Sequence, residues 1–137
     1  MKVLALDVGS KTIGMAKGYP ENEMIFPIST LSRSSVKKDT AKLVSICNKE
    51  SIHHVVIGLP LLADGSEGRS AKLARQIGEA LHEQTQLPIS YEDERDSSRE
   101  AQDRLYAIGK NSRKQRAIID QQAAMIILER WFRSRTT

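Results

Sequence analysis

Apolar residues fall in short unbroken runs near the start of the chain and at helical spacing later. Val3-Leu4-Ala5-Leu6 is wholly apolar and ends in Asp7-Val8-Gly9, the pattern of a strand buried on both faces. A turn at Gly9-Ser10 leads into a return strand, Thr12 to Gly18, and Met24 to Thr30 make a third strand. Pro27 places that strand at an edge, where a missing N–H is tolerated. Val36, Thr40, Leu43, Val44 and Cys47 then repeat at helical period, with Ser34 or Ser35 as cap. His54 to Gly58 is a fourth strand, and residues 59–68 carry too much Pro and Gly for regular structure. Ala71, Ala74, Ile77, Gly78 and Leu81 give a second helix, and Pro88 to Tyr91 a fifth strand that runs into Glu92-Asp93-Glu94. Ser97 with Glu100 forms a capping box for a third helix ending at Gly109. Residues 109–116 read as a basic flexible connector, and a fourth helix runs from about Ala117 to Phe132.

The order β-β-β-α-β-α-β-α-α predicts an α/β fold. Its mixed five-stranded sheet joins a three-stranded antiparallel meander to two parallel strands, with helices on both faces. A chain of 137 residues fits one domain and leaves no room for a second full lobe. That length disfavours a two-lobed phosphotransferase, which also opens with Asp-x-Gly on a hairpin. No apolar run approaches the ~20 residues of a membrane span. A single cysteine, Cys47, excludes an internal disulfide and multi-cysteine zinc sites, and points to the cytosol.

Net charge is +4, and its distribution matters more than its size. Residues 95–137 hold ten basic and five acidic residues, whereas residues 1–94 hold 11 and 12. The excess therefore lies in the last third: either a phosphate-binding surface or a solvated helical face with a basic tail. Lys11, Arg95, Lys110, Arg113, Lys114 and Arg116 are the candidate nucleic-acid contacts. Aromatic residues make up 4%, which favours reading of a nucleic-acid backbone over stacking on bases. Trp131 and Phe132 read as core, and His53 and His54, being adjacent on a strand, are poor joint ligands.

Asp7 ends the first strand, Asp93 and Glu94 end the fifth, and Asp120 falls in the first turn of the last helix as read from the sequence. In open α/β sheets that edge is where sites are built. Clustered carboxylates repel one another unless a hard divalent cation joins them, and Mg²⁺ takes carboxylate oxygens together with water and phosphate. Each acid also has a plainer reading: an Asx turn at Asp7, a surface ion pair of Glu94 with Arg95 or Lys11, and a dipole-favoured acid at Asp120.

Four segments in order resemble the YqgF/RuvX family, whose members are Holliday-junction-resolvase-like. They are Asp7-Val8-Gly9-Ser10-Lys11-Thr12-Ile13-Gly14-Met15-Ala16, Val56-Ile57-Gly58-Leu59-Pro60-Leu61 with Asp64-Gly65-Ser66, Asp93-Glu94-Arg95, and Asp120-x-x-Ala123-Ala124 with Ile126-Ile127-Leu128. The resemblance spans essentially the whole chain. It implies an RNase H-like fold and an Mg²⁺- or Mn²⁺-dependent nuclease, in which Asp7, Glu94 and Asp120 are catalytic and bind metal, with Asp93 a further candidate ligand. Members are described as candidate pre-16S rRNA nucleases acting at the 5′ end in ribosome biogenesis, and as candidate resolvases of branched DNA. A non-catalytic RNA-binding assembly or transcription factor is the remaining alternative. The expected partner is nucleic acid, with the protein a monomer or weak homodimer and no membrane association. Two departures stand out. Asp96 replaces the family's Leu, and the fourth strand ends in Gly58-Leu59-Pro60, without the acid that RuvC-type resolvases carry there.

Overall fold

The computed structural model describes residues 1–95 and 114–135, with side chains described from residue 118 in the second stretch. The helix expected between Ser97 and Gly109, together with Lys110 and Arg113, lies outside the described residues. Five strands, β1 (Val3–Val8), β2 (Thr12–Tyr19), β3 (Met24–Ser32), β4 (His54–Leu59) and β5 (Ile89–Asp93), form one sheet in the order β3-β2-β1-β4-β5. β1 runs antiparallel to β2 and parallel to β4, while β3 is antiparallel to β2 and β5 parallel to β4. The helices are α1 (Val36–Glu50), α2 (Arg69–Thr85) and α3 (Lys114–Arg135). This is the expected mixed sheet, with its meander and two added parallel strands.

Alternation along the strands sorts the sheet into two faces. Leu4, Leu6, Val8, Ile13, Met15, Val55, Ile57 and Leu59 pack with Leu43 and Cys47 of α1 and Ala71, Ala74, Ile77 and Leu81 of α2. Val3, Ala5, Ala16 and Val56 meet Ala124, Ile127, Leu128, Trp131 and Phe132 of α3 on the other side. Burial on both faces explains why β1 and β4 read as continuous apolar runs. The α3 face of the meander carries small residues, because the helix lies close to the sheet there. A Cβ on Gly18, for instance, would stand 2.8 Å from Leu128 Cδ2.

Pro27 does lie on the edge strand, beside a register shift between Met15 and Ala16 that leaves Ile28 as the extra residue of a bulge. Ser35 is the α1 cap, its side chain accepting from the Lys38 amide at 3.1 Å. Asp39 in the first turn is fully buried and held by Arg33 Nε at 2.9 Å and by the Ser34 amide at 3.0 Å. Trp131 and Phe132 are core, as expected. Among the described residues no helix is long and apolar enough to cross a membrane.

One boundary needs correction. The last helix begins at Lys114, not near Ala117, so Lys114 and Arg116 are helical and not part of a flexible connector. Lys, Gln, Arg and Ala are strong helix formers, and no Gly or Pro stands among residues 114–117 to stop propagation. Asp120 therefore falls in the second turn of α3, beyond the orphan N–H groups that a first-turn acid would serve.

Burial pushes the Cys47 thiol up to about 11. It is 3% exposed, so alkylation should be negligible in the folded protein at pH 8 and rapid in denaturant. Mass spectrometry after iodoacetamide treatment measures both.

Candidate active site

Three elements deliver carboxylates to one edge of the sheet, on the α3 face. Asp7 is two residues beyond Ala5 on β1 and shares its face. Glu94 follows β5, where its amide donates to the Leu59 carbonyl at 3.2 Å and continues the parallel ladder by one residue. Ser90, Glu92 and Glu94 alternate on one face. Ser90 Oγ lies 2.8 Å from His54 Nε2, and the His54 ring packs 4.8 Å from that of Trp131. Asp120 comes down from α3 onto the start of β2, where Thr12 Oγ1 donates to Asp120 Oδ2 at 2.6 Å. One residue further on, Gln121 Nε2 donates to Thr30 Oγ1 at 3.2 Å, tying the same turn to β3.

Two glycines make the convergence sterically possible. Gly14 pairs with Asp7 across the β1–β2 ladder. A Cβ there would collide with the backbone carbonyl of Asp120, so α3 approaches β2 at this point only because residue 14 has no side chain. A Cβ on Gly58 would stand 2.6 Å from Glu94 Oε2 and collide with Ile127 Cδ1. The absence of an acid at the end of β4 thus has a positive counterpart: the space is filled by the carboxylate of the neighbouring strand.

The cluster is electrostatically tense. Burial raises the pKa of Asp7, a hydrogen bond with Glu94 opposes the rise, and the charge of Asp120 adds to it. Glu94 is itself only 7% exposed. Glu92 is also raised, by burial first, with Arg130 countering and Asp93 reinforcing. Two carboxyl groups in direct contact beside a third acid call for a shared proton or a cation.

The three principal acids therefore come together as the sequence suggests. Asp93 does not join them. It shares the opposite face with Ile89 and Tyr91, which pack on the α1 and α2 side, and it borders an open cleft of about 660 Å³ with Leu61, Ala63 and Arg95. Arg95 pairs with Asp93, at 2.8 Å from Nη2 and 2.9 Å from Nε, so the Glu94–Arg95 ion pair weighed from the sequence is not the one formed here. Burial favours a higher pKa for Asp93, but the Arg95 contacts outweigh it and the net shift is downward. Lys11 is exposed in the turn between Asp7 and β2. His53 is exposed and accepts the Lys2 amide, whereas His54 is turned toward Trp131, so the two do not act together. Among the described residues no three His, Cys, Asp or Glu side chains already stand as a metal-ligand set.

Thr12, Gly14, Gly58, Glu92 and Arg130 are the site residues that sequence reasoning missed. Alternation would have found some of them. Thr12, Gly14, Ala16 and Gly18 are small residues at period two, the mark of a closely seated helix. Ser90, Glu92 and Glu94 share a face by the same count.

Residues 1–134 match the RuvX family, described as Holliday junction resolvase. A Maridesulfovibrio salexigens protein named "Putative pre-16S rRNA nuclease" is 37% identical over 131 residues, covering 96% of this chain and 97% of its own. A Picosynechococcus sp. protein of the same name is 36% identical over 132 residues, covering 96% and 92%. Thermus thermophilus RuvC, solved in complex with Holliday junction substrate, superposes with a TM-score of 0.64 at 11% identity over 99% of this chain and 96% of its own. At that identity the likeness speaks for the RNase H-like fold. The match to nearly the whole chain, together with relatives of equal length that share more than a third of its residues, places this chain in the RuvX family.

Proposed function

We propose that this chain is a divalent-metal-dependent nuclease that hydrolyses phosphodiester bonds at the 5′ end of pre-16S rRNA during ribosome biogenesis. The observation that carries the reading is the convergence of Asp7, Glu94 and Asp120, from three elements, into one tense carboxylate cluster at the sheet edge. The names of the full-length relatives supply the substrate.

An all-carboxylate donor set suits Mg²⁺ or Mn²⁺, hard ions that prefer oxygen. Burial first, and the charge of Asp120 in addition, disfavour an ionised Asp7, and a cation at the cluster would offset both. When bound, a divalent ion activates water and neutralises charge developing on the phosphodiester. Asp7, Glu94 and Asp120 would hold it. Thr12 fixes one oxygen of Asp120 and so limits how its carboxylate can turn. Lys11 and Arg95 stand near this edge as contacts for the nucleic-acid backbone; Lys110, Arg113, Lys114 and Arg116 remain candidate contacts on the charge of their sequence alone.

Thr12→Val removes the hydroxyl at constant shape and frees Asp120. We expect cleavage to fall about tenfold, and Thr12→Ser to retain most of it. Single-turnover kinetics on one RNA substrate distinguishes the two variants.

A second reading keeps the chemistry and changes the substrate to branched DNA. The family description favours it. Paired cuts across a junction would need a dimer presenting two sites. Purified protein with Mn²⁺ should be offered a 16S precursor and a four-way junction side by side, with 5′ ends mapped. Cleavage at the mature 5′ end supports the first reading, and symmetric junction cuts the second. Equal cleavage by Asp7→Asn would remove both.

A further inference from the structure

Arg130 stands nearly three turns beyond Asp120 on α3, and its side chain reaches the end of β5. Nη1 donates to two backbone carbonyls, Asp93 O and Arg95 O, each at 3.0 Å. These are the carbonyls on either side of Glu94. One nitrogen thus grips both flanks of the residue whose carboxylate enters the cluster. One helical turn earlier, Ile127 is fully buried against Gly58, on the glycine surface where Glu94 Oε2 also lies. The turn 127–130 therefore encloses Glu94, with an apolar contact beneath and a cationic clamp on its backbone.

We propose that Arg130 is a positioning residue that fixes the Glu94 carboxylate at the metal-binding edge. This rests on the reading of Glu94 as a metal ligand. Glu94 lies just past the last residue of β5 on the sheet's outermost parallel strand. Beyond the Glu94 N–H to Leu59 bond, a strand end of this kind frays unless something holds it. The guanidinium supplies that hold from the same helix that delivers Asp120. Seating of α3 then sets two of the three acids at once. A planar guanidinium suits this task better than an ammonium, because its donors are fixed in direction.

The test uses the full chain as wild type, Arg130→Met and Arg130→Lys. Calorimetry measures binding of Mn²⁺ alone, and amide hydrogen exchange is followed across the chain. For Arg130→Met we expect about tenfold weaker Mn²⁺ binding, the usual scale for losing a group that orients a ligand. Exchange should rise at residues 92–95 while β1 and β4 stay protected. Arg130→Lys should fall between wild type and Arg130→Met in both readouts. If Arg130→Met fails to fold, Arg130→Lys carries the same two comparisons. Unchanged exchange at 92–95, or faster exchange there with unaltered Mn²⁺ affinity, overturns the proposal. Wild type that binds no Mn²⁺ overturns the metal-dependent nuclease reading instead. The exchange result then decides alone whether Arg130 fixes the Glu94 segment.

Discussion

Asp7→Asn is expected to slow cleavage severely while making the protein more stable at neutral pH in the absence of divalent ions. The two effects share one cause. Asp7 is a half-buried carboxyl whose pKa is raised above the ordinary 3.8, by burial first and by the charge of Asp120 in addition. Its contribution to stability is full below the unfolded value and is lost as pH rises through the higher folded value. At neutral pH the ionised group therefore weighs against the fold, and the neutral amide of asparagine removes that penalty. The stability gap between variant and wild type should open as pH climbs above 3.8, with the variant on top. The same substitution deletes a proposed metal ligand. Loss of the chemistry it supports should slow cleavage by about a thousandfold, or ~4 kcal/mol in the barrier. Mn²⁺ should raise the melting temperature of wild type by mass action and leave the variant unmoved. Thermal melts from pH 4 to pH 8, with and without Mn²⁺, read all three trends. A less stable Asp7→Asn would contradict the account.

Gly14→Ala is expected to have the next largest effect, through packing alone. The added methyl would collide with the Asp120 carbonyl, which is backbone and cannot rotate away. α3 must lift from β2, at a cost of about 3 kcal/mol, the upper end for overpacking one methyl. Lifting α3 also draws Asp120 away from Thr12 and Asp7, so cleavage should fall in folded protein as well. Gly68→Ala is the matched control. There the methyl meets only the far end of Leu62, at 3.2 Å from Cδ2, which can move. Denaturant unfolding of both variants separates backbone collision from a general intolerance of alanine. Equal midpoints would show that the close approach of α3 is unimportant.

Most of the fold was legible because burial on both faces leaves an unambiguous mark. The runs at Val3–Leu6 and Val55–Ile57 have no polar interruption, and strands buried on both faces do not need one. Asp7 was legible because a charge that ends such a run lies at the C-terminal end of its strand, and Glu94 from its place after the fifth strand in the Asp-Glu-Arg motif. The face of Asp93 was not seen, although period two along β5 separates it from Glu94. All five residues of that strand are only partly buried, so its sequence shows no apolar stripe from which to count. The early start of α3 was obscured because the basic run Arg113-Lys114-Gln115-Arg116 reads as a solvated connector by charge, although Lys, Gln and Arg favour helix. The long reach of Arg130 to the carbonyls around Glu94 leaves no trace in local sequence. It depends on how α3 crosses the sheet diagonally, with Asp120 over β2 and Arg130 at β5.

Asp7, Glu94 and Asp120 are proposed to hold the divalent cation on which phosphodiester hydrolysis depends. Anomalous diffraction from crystals soaked in Mn²⁺ tests this most directly. A Mn²⁺ peak among the Asp7, Glu94 and Asp120 carboxylates is the expected result. A peak held elsewhere, or an intact Asp7–Glu94 contact with no peak at saturating Mn²⁺, would contradict it.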